Sequence, residues 1–125
     1  MFDRELTQSS LLQIEALVDT VIERTSGIKD VDDFYCSPQG MITLDAVCMN
    51  LVAIGEAVKN LDKVSHGELL PRYPQLNWSG MMRMRDKIAH HYFEIDAEVV
   101  LLTAKEDIPL VKCIVDTMLS DLPNI

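Results

Sequence analysis

Met41–Leu61 reads MITLDAVCMNLVAIGEAVKNL, and its apolar residues Leu44, Val47, Leu51, Ile54, Val58 and Leu61 recur at alternating intervals of three and four. That spacing gathers them into one stripe of an α-helix, because 3.6 residues complete a turn. The other side is hardly more polar, carrying Ala46, Met49, Ala53 and Ala57. A helix that is apolar on two sides has neighbours on both. This one is therefore the centre of a helical bundle or part of a seam between two copies of the chain.

The flanking sequence agrees with a helical fold. Five glycines, five prolines and few alternating β-branched runs leave little room for strands. From about Arg4 to Thr25, the residues Leu11, Ile14, Val18, Val21 and Ile22 recur at helical spacing, with Glu15, Asp19 and Glu23 on the other side and Gly27 as the expected stop. Residues 26 to 40, SGIKDVDDFYCSPQG, suit a connector packed down by Phe34 and Tyr35. Breakers at His66, Gly67, Pro71 and Pro74 limit residues 62 to 80 to a short turn or two of helix. Asn77 or Ser79 can cap a helix running from about Trp78 through Arg85 toward His90. Asp96 can cap another, with Ile108, Val111, Val115 and Met118 on its buried face and a kink or restart at Pro109. The expectation is an all-α, antiparallel bundle of four to five helices forming a single domain over residues 1–125.

Composition excludes several classes. Acidic residues outnumber basic ones 20 to 11, a net charge of −9 that argues against a surface gripping nucleic acid throughout. No uncharged run exceeds the 11 residues from Phe34 to Leu44, and MFDRELTQSS lacks a signal peptide's apolar stretch, so no membrane association and a cytoplasmic location are expected. Cys36, Cys48 and Cys113 are odd in number and widely spaced; they read as plain thiols, with neither a disulfide framework nor a zinc site.

Charge is nonetheless uneven. From Lys59 to Tyr92 there are six basic residues, all three histidines and three acids, a local +3; the remaining residues hold five basic and 17 acidic groups, a local −12. Such a window could focus a phosphate-bearing ligand, although on charge alone a solvated helix face explains it as simply. Within it lies MRMRDKIAHHYFEID. On a straight helix Arg85 and His90 would lie about 140° apart and flank a groove, while loosening of the helix near His90 would bring His90 and Tyr92 to one side.

The chemistry open to this trio is definite. His90 can move a proton at a ribose hydroxyl near neutral pH, Arg85 can hold a phosphate by two hydrogen bonds, and Tyr92 can stack, donate a hydrogen bond or be modified. Arg83, seven positions before His90 and on nearly the same face, competes with Arg85 as a phosphate ligand; Asp86 and Lys87 complete the polar set offered to a substrate. Trp78 and Tyr73 read as packing residues. Metal binding is weakly supported, since His90 and His91 lack the i, i+4 spacing of a helical ligand pair.

RDKIAHHY resembles the R-x4-6-H-x-Y signature of the HEPN superfamily. The wider pattern is similar to its HepT-like branch, also known as domain of unknown function 86. The supporting stretches are DDFY at Asp32–Tyr35, NLVAIGEAVKNL at Asn50–Leu61 and NWSGMMRMRDKIAHHYFEIDAEVV at Asn77–Val100, in the expected order over most of the chain. Two positions depart from the family pattern: Asp86 stands where asparagine is usual, and His91 where a small residue is common.

The resemblance implies a HEPN-like homodimer with two motifs facing one another across a cleft. It further implies a toxin of a toxin–antitoxin pair, acting as a metal-independent ribonuclease without a cofactor, and a small nucleotidyltransferase partner that silences it by transferring AMP to the motif tyrosine. Carried onto this chain, Arg85 and His90 would be catalytic, RNA the substrate and Tyr92 the modified hydroxyl. A second reading is a non-catalytic nucleotide-binding or adaptor dimer that only partners the nucleotidyltransferase, which the acidic surface favours. A third is a helical scaffold without a ligand.

Overall fold

The central helix begins earlier and ends later than its apolar stripe. In the computed structural model, which describes residues 2–90 and 96–125 except the side chains of Arg85, Lys87, Ala89 and His90, it spans Pro38–Val64. Ser37 caps it, its Oγ accepting from the Gly40 N–H at 3.0 Å, and Pro38 occupies the first turn, where no backbone donor is needed. Pro38 and Gly40 therefore open this helix, whereas the sequence reading kept them in the connector. Gly40 is there because the preceding short helix, Asp32–Tyr35, crosses it closely: a Cβ at Gly40 would lie 2.3 Å from the Asp33 carbonyl oxygen.

In chain order the helices are α1 (Arg4–Thr25), α2 (Asp32–Tyr35), α3 (Pro38–Val64), α4 (Trp78–His90), α5 (Ala97–Leu102) and α6 (Ile108–Asp121). A π-helical turn at Thr103–Asp107 joins α5 to α6, and short 3₁₀ turns occupy Leu70–Arg72 and Leu122–Asn124. No strand occurs among the described residues.

α3 packs on α1, α2 and α4, and α1 packs in turn on α6. Cross-links fix the directions. Ser10 and Arg24 of α1 meet Asn60 and Asn50 of α3, through hydrogen bonds of 3.5 and 2.6 Å. As numbering rises along one helix it falls along the other, so the two are antiparallel. The same holds for α1 and the C-terminal rod: Arg4 donates to the Pro123 carbonyl, Asp19 pairs with Lys112 at 2.5 Å, and Lys105 donates to the Thr25 carbonyl at 2.6 Å.

The buried apolar side chains form one cluster. All six stripe residues of α3 are in it, with Leu11, Ile14, Val18 and Val21 of α1 and Ile108, Val111, Val115 and Met118 of α6. The opposite side of α3 is different. Ile42 and Met49 are 60% and 64% exposed, and Ala46 and Ala53 are partly covered, so these four make an apolar stripe turned away from the core. α3 is also long and apolar enough in composition to cross a membrane, which the test of uncharged runs had excluded. Its packing against α1, α2 and α4 accounts for that apolarity on one side only.

Several expectations change in detail. Of the aromatic pair in the connector, Phe34 is fully buried, while Tyr35 is 53% exposed and packs nothing down. Asp33 does more to hold this connector: its Oδ2 accepts from the N–H groups of Lys29 and Asp30, at 2.7 and 3.4 Å, and these bonds hold its carboxyl below its ordinary pKa. α1 keeps the expected bounds, Arg4–Thr25, and Ser26 closes it in right-handed geometry just before Gly27. Among the described residues the left-handed ones are His66 and Gly67, which end α3 with the Gly67 N–H bonded to the Asp62 carbonyl. Pro109 restarts a helix in line: it lies in the first turn of α6, directly after the π turn, where the missing N–H leaves no gap. The cysteines are free, Cys48 buried and Cys36 and Cys113 exposed, and burial pushes the Cys48 thiol up to about 11.

Candidate functional site

The polar residues of the site sit on α4, and α4 is positioned by aromatic anchors at its start. Asn77 caps it, with Oδ1 accepting from the Gly80 N–H at 2.9 Å. Trp78 is 8% exposed, and its indole N–H donates to the Tyr73 carbonyl at 2.8 Å. Tyr73 is 7% exposed, and its hydroxyl donates to Asp121 Oδ2 at 2.8 Å, at the end of α6. Burial and the Asp121 carboxylate push the Tyr73 phenol up to about 12. Both aromatics are packing residues, as read from the sequence, and neither is a platform for a base.

Beyond these anchors α4 has two sides. Trp78, Met81 and Ile88 are buried, and by helical register Arg85 falls on this side, between Met81 and Ile88. Ser79, Arg83 and Asp86 are exposed, and the backbone position of His90 falls among them. α4 is helical as far as His90, so the two motif positions lie about 140° apart around its axis and flank the helix. Tyr92 lies outside the described residues, as does His91, and with them the expected approach of Tyr92 to His90. The side chains of Arg85, His90 and Lys87 are likewise outside the description.

Among the described residues of the exposed side, one cation has a side-chain partner. Arg83 Nη1 donates to the Ser79 hydroxyl at 2.7 Å, one turn earlier on the same helix. Asp86 is exposed and engaged in an interaction of its own. Other basic residues of the +3 window are spread over the molecule. Lys59 and Lys63 are exposed on the last turns of α3, and Arg72 lines a cleft of about 520 Å3 with Phe2, Arg4, Glu68, Pro71 and Ile125, a site of mixed charge. His66 serves the end of α3 and is not part of α4. Among the described residues no group of three or more His, Cys, Asp or Glu side chains converges as a metal site would require.

The sequence reading missed the Ser79–Arg83 bond, the Tyr73–Asp121 anchor and the Arg24–Asn50 bond inside the Asn50–Leu61 stretch. Each joins residues whose types are unremarkable and whose proximity only the fold creates. An i, i+4 interval was the one available signal for the first.

Comparison with known proteins places this helix in context. The family model described as "Ribonuclease HepT-like" matches residues 13–118, which enclose α3, α4 and Tyr92. A Methanocaldococcus jannaschii protein with a provisional RNase name is 48% identical over 58 residues, 46% of this chain and 45% of that protein. A Thermococcus cleftensis protein provisionally named ribonuclease HepT is 41% identical over 81 residues, 65% of this chain and 67% of that protein. A second provisionally named RNase of M. jannaschii is 31% identical over 102 residues, 82% of this chain and 86% of that protein. The first of these matches thus spans under half of its relative's length. No solved structure gives a significant match. With the family model covering the bundle core and the whole of α4, and with relatives matching over most of their length, the chain belongs to the HepT-like ribonuclease family.

Proposed function

We propose that this protein is an endoribonuclease that cleaves RNA without a metal and acts as the toxin of a toxin–antitoxin pair. The observation that carries the reading is the family match over residues 13–118, which contains Arg85, His90 and Tyr92 with the motif spacing intact. In the reaction, His90 takes the proton of a ribose 2′-hydroxyl as its oxygen attacks the adjacent phosphorus. The bond to the 5′-oxygen of the next nucleotide breaks and that oxygen takes up a proton from water, leaving a 2′,3′-cyclic phosphate and a free 5′-hydroxyl, while His90 later returns its proton to solvent. Arg85 balances the charge that builds on the phosphoryl oxygens. Lys87 and Arg83 add positive charge along the strand, and Asp86 offers an acceptor for a ribose hydroxyl.

Two copies complete the site in this reading. The exposed apolar stripe of α3, centred on Ile42, Ala46, Met49 and Ala53, is the surface a second copy would cover. Regulation falls to Tyr92. Its hydroxyl attacks the α-phosphorus of ATP on a partner nucleotidyltransferase, pyrophosphate leaves, and the attached AMP places bulk and negative charge where an RNA phosphate would bind.

The test is incubation of unmodified protein with total RNA, with and without EDTA, beside Arg85→Ala and His90→Ala. Cleavage that survives EDTA and is lost in both variants supports the reading; cleavage that EDTA abolishes, or that His90→Ala retains, overturns it. Intact mass after incubation with the nucleotidyltransferase and ATP tests the switch, since the AMP added to the wild type should be missing in Tyr92→Phe. The net charge of −9 favours one competing outcome, an adaptor dimer. It would take up AMP and bind the partner without cleaving any RNA.

A further inference from the structure

A ribonuclease with this charge must hold its substrate through few contacts, because counter-ion release from each phosphate contact is the main source of affinity for a single strand. Arg83 has what such a contact needs. It is exposed, its guanidinium is oriented by the Ser79 hydroxyl at 2.7 Å, and among the described residues no carboxylate lies within ion-pairing distance of it. Lys112 and Lys105 are already committed, one to Asp19 and the other to the Thr25 carbonyl. A neutral oxygen acceptor fixes the direction of the guanidinium and leaves its full charge, and its remaining N–H donors, for an anion.

Position supplies the second argument. Ser79, Arg83 and the backbone of His90 share one stripe of α4, while Arg85 belongs to the other side of that helix. Arg83 precedes His90 by two turns, about 10 Å along the axis. With its guanidinium drawn back to Ser79, one turn further from His90, this cation is aimed away from the phosphate that His90 serves. It can hold one further along a strand lying on this stripe.

We propose that Arg83 is a substrate-positioning residue that binds a non-scissile phosphate of single-stranded RNA, and that Ser79 orients it. This rests on the ribonuclease reading above, in which Arg85 acts at the cleaved phosphate; Arg83 then serves a neighbouring one. Asp86 on the same stripe restricts the contact, so the strand is held at one point and not along the whole helix.

The experiment measures kcat and KM for a fluorescent single-stranded RNA at several salt concentrations, for wild type, Arg83→Ala, Arg83→Lys and Ser79→Ala, with equilibrium binding of the same RNA by anisotropy. Arg83→Ala should raise KM about tenfold with kcat little changed, and should reduce the slope of log affinity against log salt by about 0.7. Arg83→Lys should keep the salt slope and recover part of the KM. Ser79→Ala should raise KM a few-fold with the slope intact, since the charge remains and only its orientation is lost. A salt slope unchanged in Arg83→Ala overturns the proposal, as does a fall in kcat at constant KM, which would put Arg83 at the reacting phosphate. If the wild type cleaves nothing, the ribonuclease reading fails; the binding measurement then decides the Arg83 contact by the same change in slope.

Discussion

α3 and α4 pack against each other and are built on opposite plans. α3 runs 27 residues with a continuous buried stripe and a second, exposed apolar stripe. α4 runs 13 residues, buries Trp78, Met81 and Ile88, packs Met82 and Met84 partly against the core, and exposes Ser79, Arg83 and Asp86. The stability of α3 is spread over many interchangeable apolar contacts. Whatever α4 does chemically depends on the few polar side chains it carries, each at a single position. Substitutions in the two helices should therefore fail in different ways.

The largest effect belongs to α3. Leu51 is 1% exposed and Ile54 fully buried, so Leu51→Ala or Ile54→Ala should cost about 2 to 5 kcal/mol of stability, through lost transfer free energy and the cavity left behind. Urea denaturation gives the number. Below the transition, cleavage per folded molecule should stay near that of the wild type. A loss of activity without a loss of stability would mean that α3 reaches the reacting groups, and the contrast would collapse.

His90→Ala on α4 should show the reverse. We expect cleavage to fall by about 100-fold or more, equivalent to about 2.7 kcal/mol at the transition state, with the thermal midpoint nearly unmoved. Paired activity and melting measurements check this. If the midpoint drops as far as it does for Leu51→Ala, His90 is part of the packing and α4 is not functionally distinct.

The exposed stripe of α3 offers a sharper cut within one helix. Met49→Glu changes a residue that is 64% exposed in the single chain, and Ala53→Glu its partly covered neighbour. If a second copy covers this stripe, either carboxylate should shift sedimentation at micromolar concentration from dimer to monomer while helicity is kept. A wild type that already sediments as a monomer would leave the stripe without that occupant.

How much could be read beforehand follows the same division. The apolar stripes of α1, α3 and α6 were legible because each rests on several residues at helical spacing, and one atypical residue cannot hide the pattern. Elements whose identity hangs on one residue were not. Pro38 and Gly40 look like breakers, and only the crossing of α2 over α3 makes them a helix start. Tyr35 is an aromatic of the kind that packs, yet it is 53% exposed, and its neighbour Phe34 is the one that is buried. The candidate site rests on motif spacing, which names Arg85 and His90. Spacing says nothing of the hydroxyl that orients Arg83, because a serine four residues before an arginine is common on any solvated helix.

The smallest effect lies where α4 meets its anchor. Tyr73 is nearly buried, and its hydroxyl donates to Asp121, the one described bond that ties the start of α4 to the end of α6. Tyr73→Phe keeps the ring and deletes the bond, so it should cost about 1 kcal/mol, the usual net value of one hydrogen bond. Its pH dependence is more diagnostic than its size. The phenol is pushed from 10.0 up to about 12 by burial and by Asp121, so the folded state favours the protonated form. That contribution is fully present below pH 10, the unfolded value, and is lost as pH rises toward 12. Wild-type stability should therefore fall across this alkaline window. Tyr73→Phe, which has nothing to ionise there, should fall less over the same range. Denaturation at pH 9 and pH 11 for both proteins reads the difference. Parallel losses would mean that the Tyr73–Asp121 bond does not persist in solution, and that α4 is held in place by Trp78 and its apolar side alone.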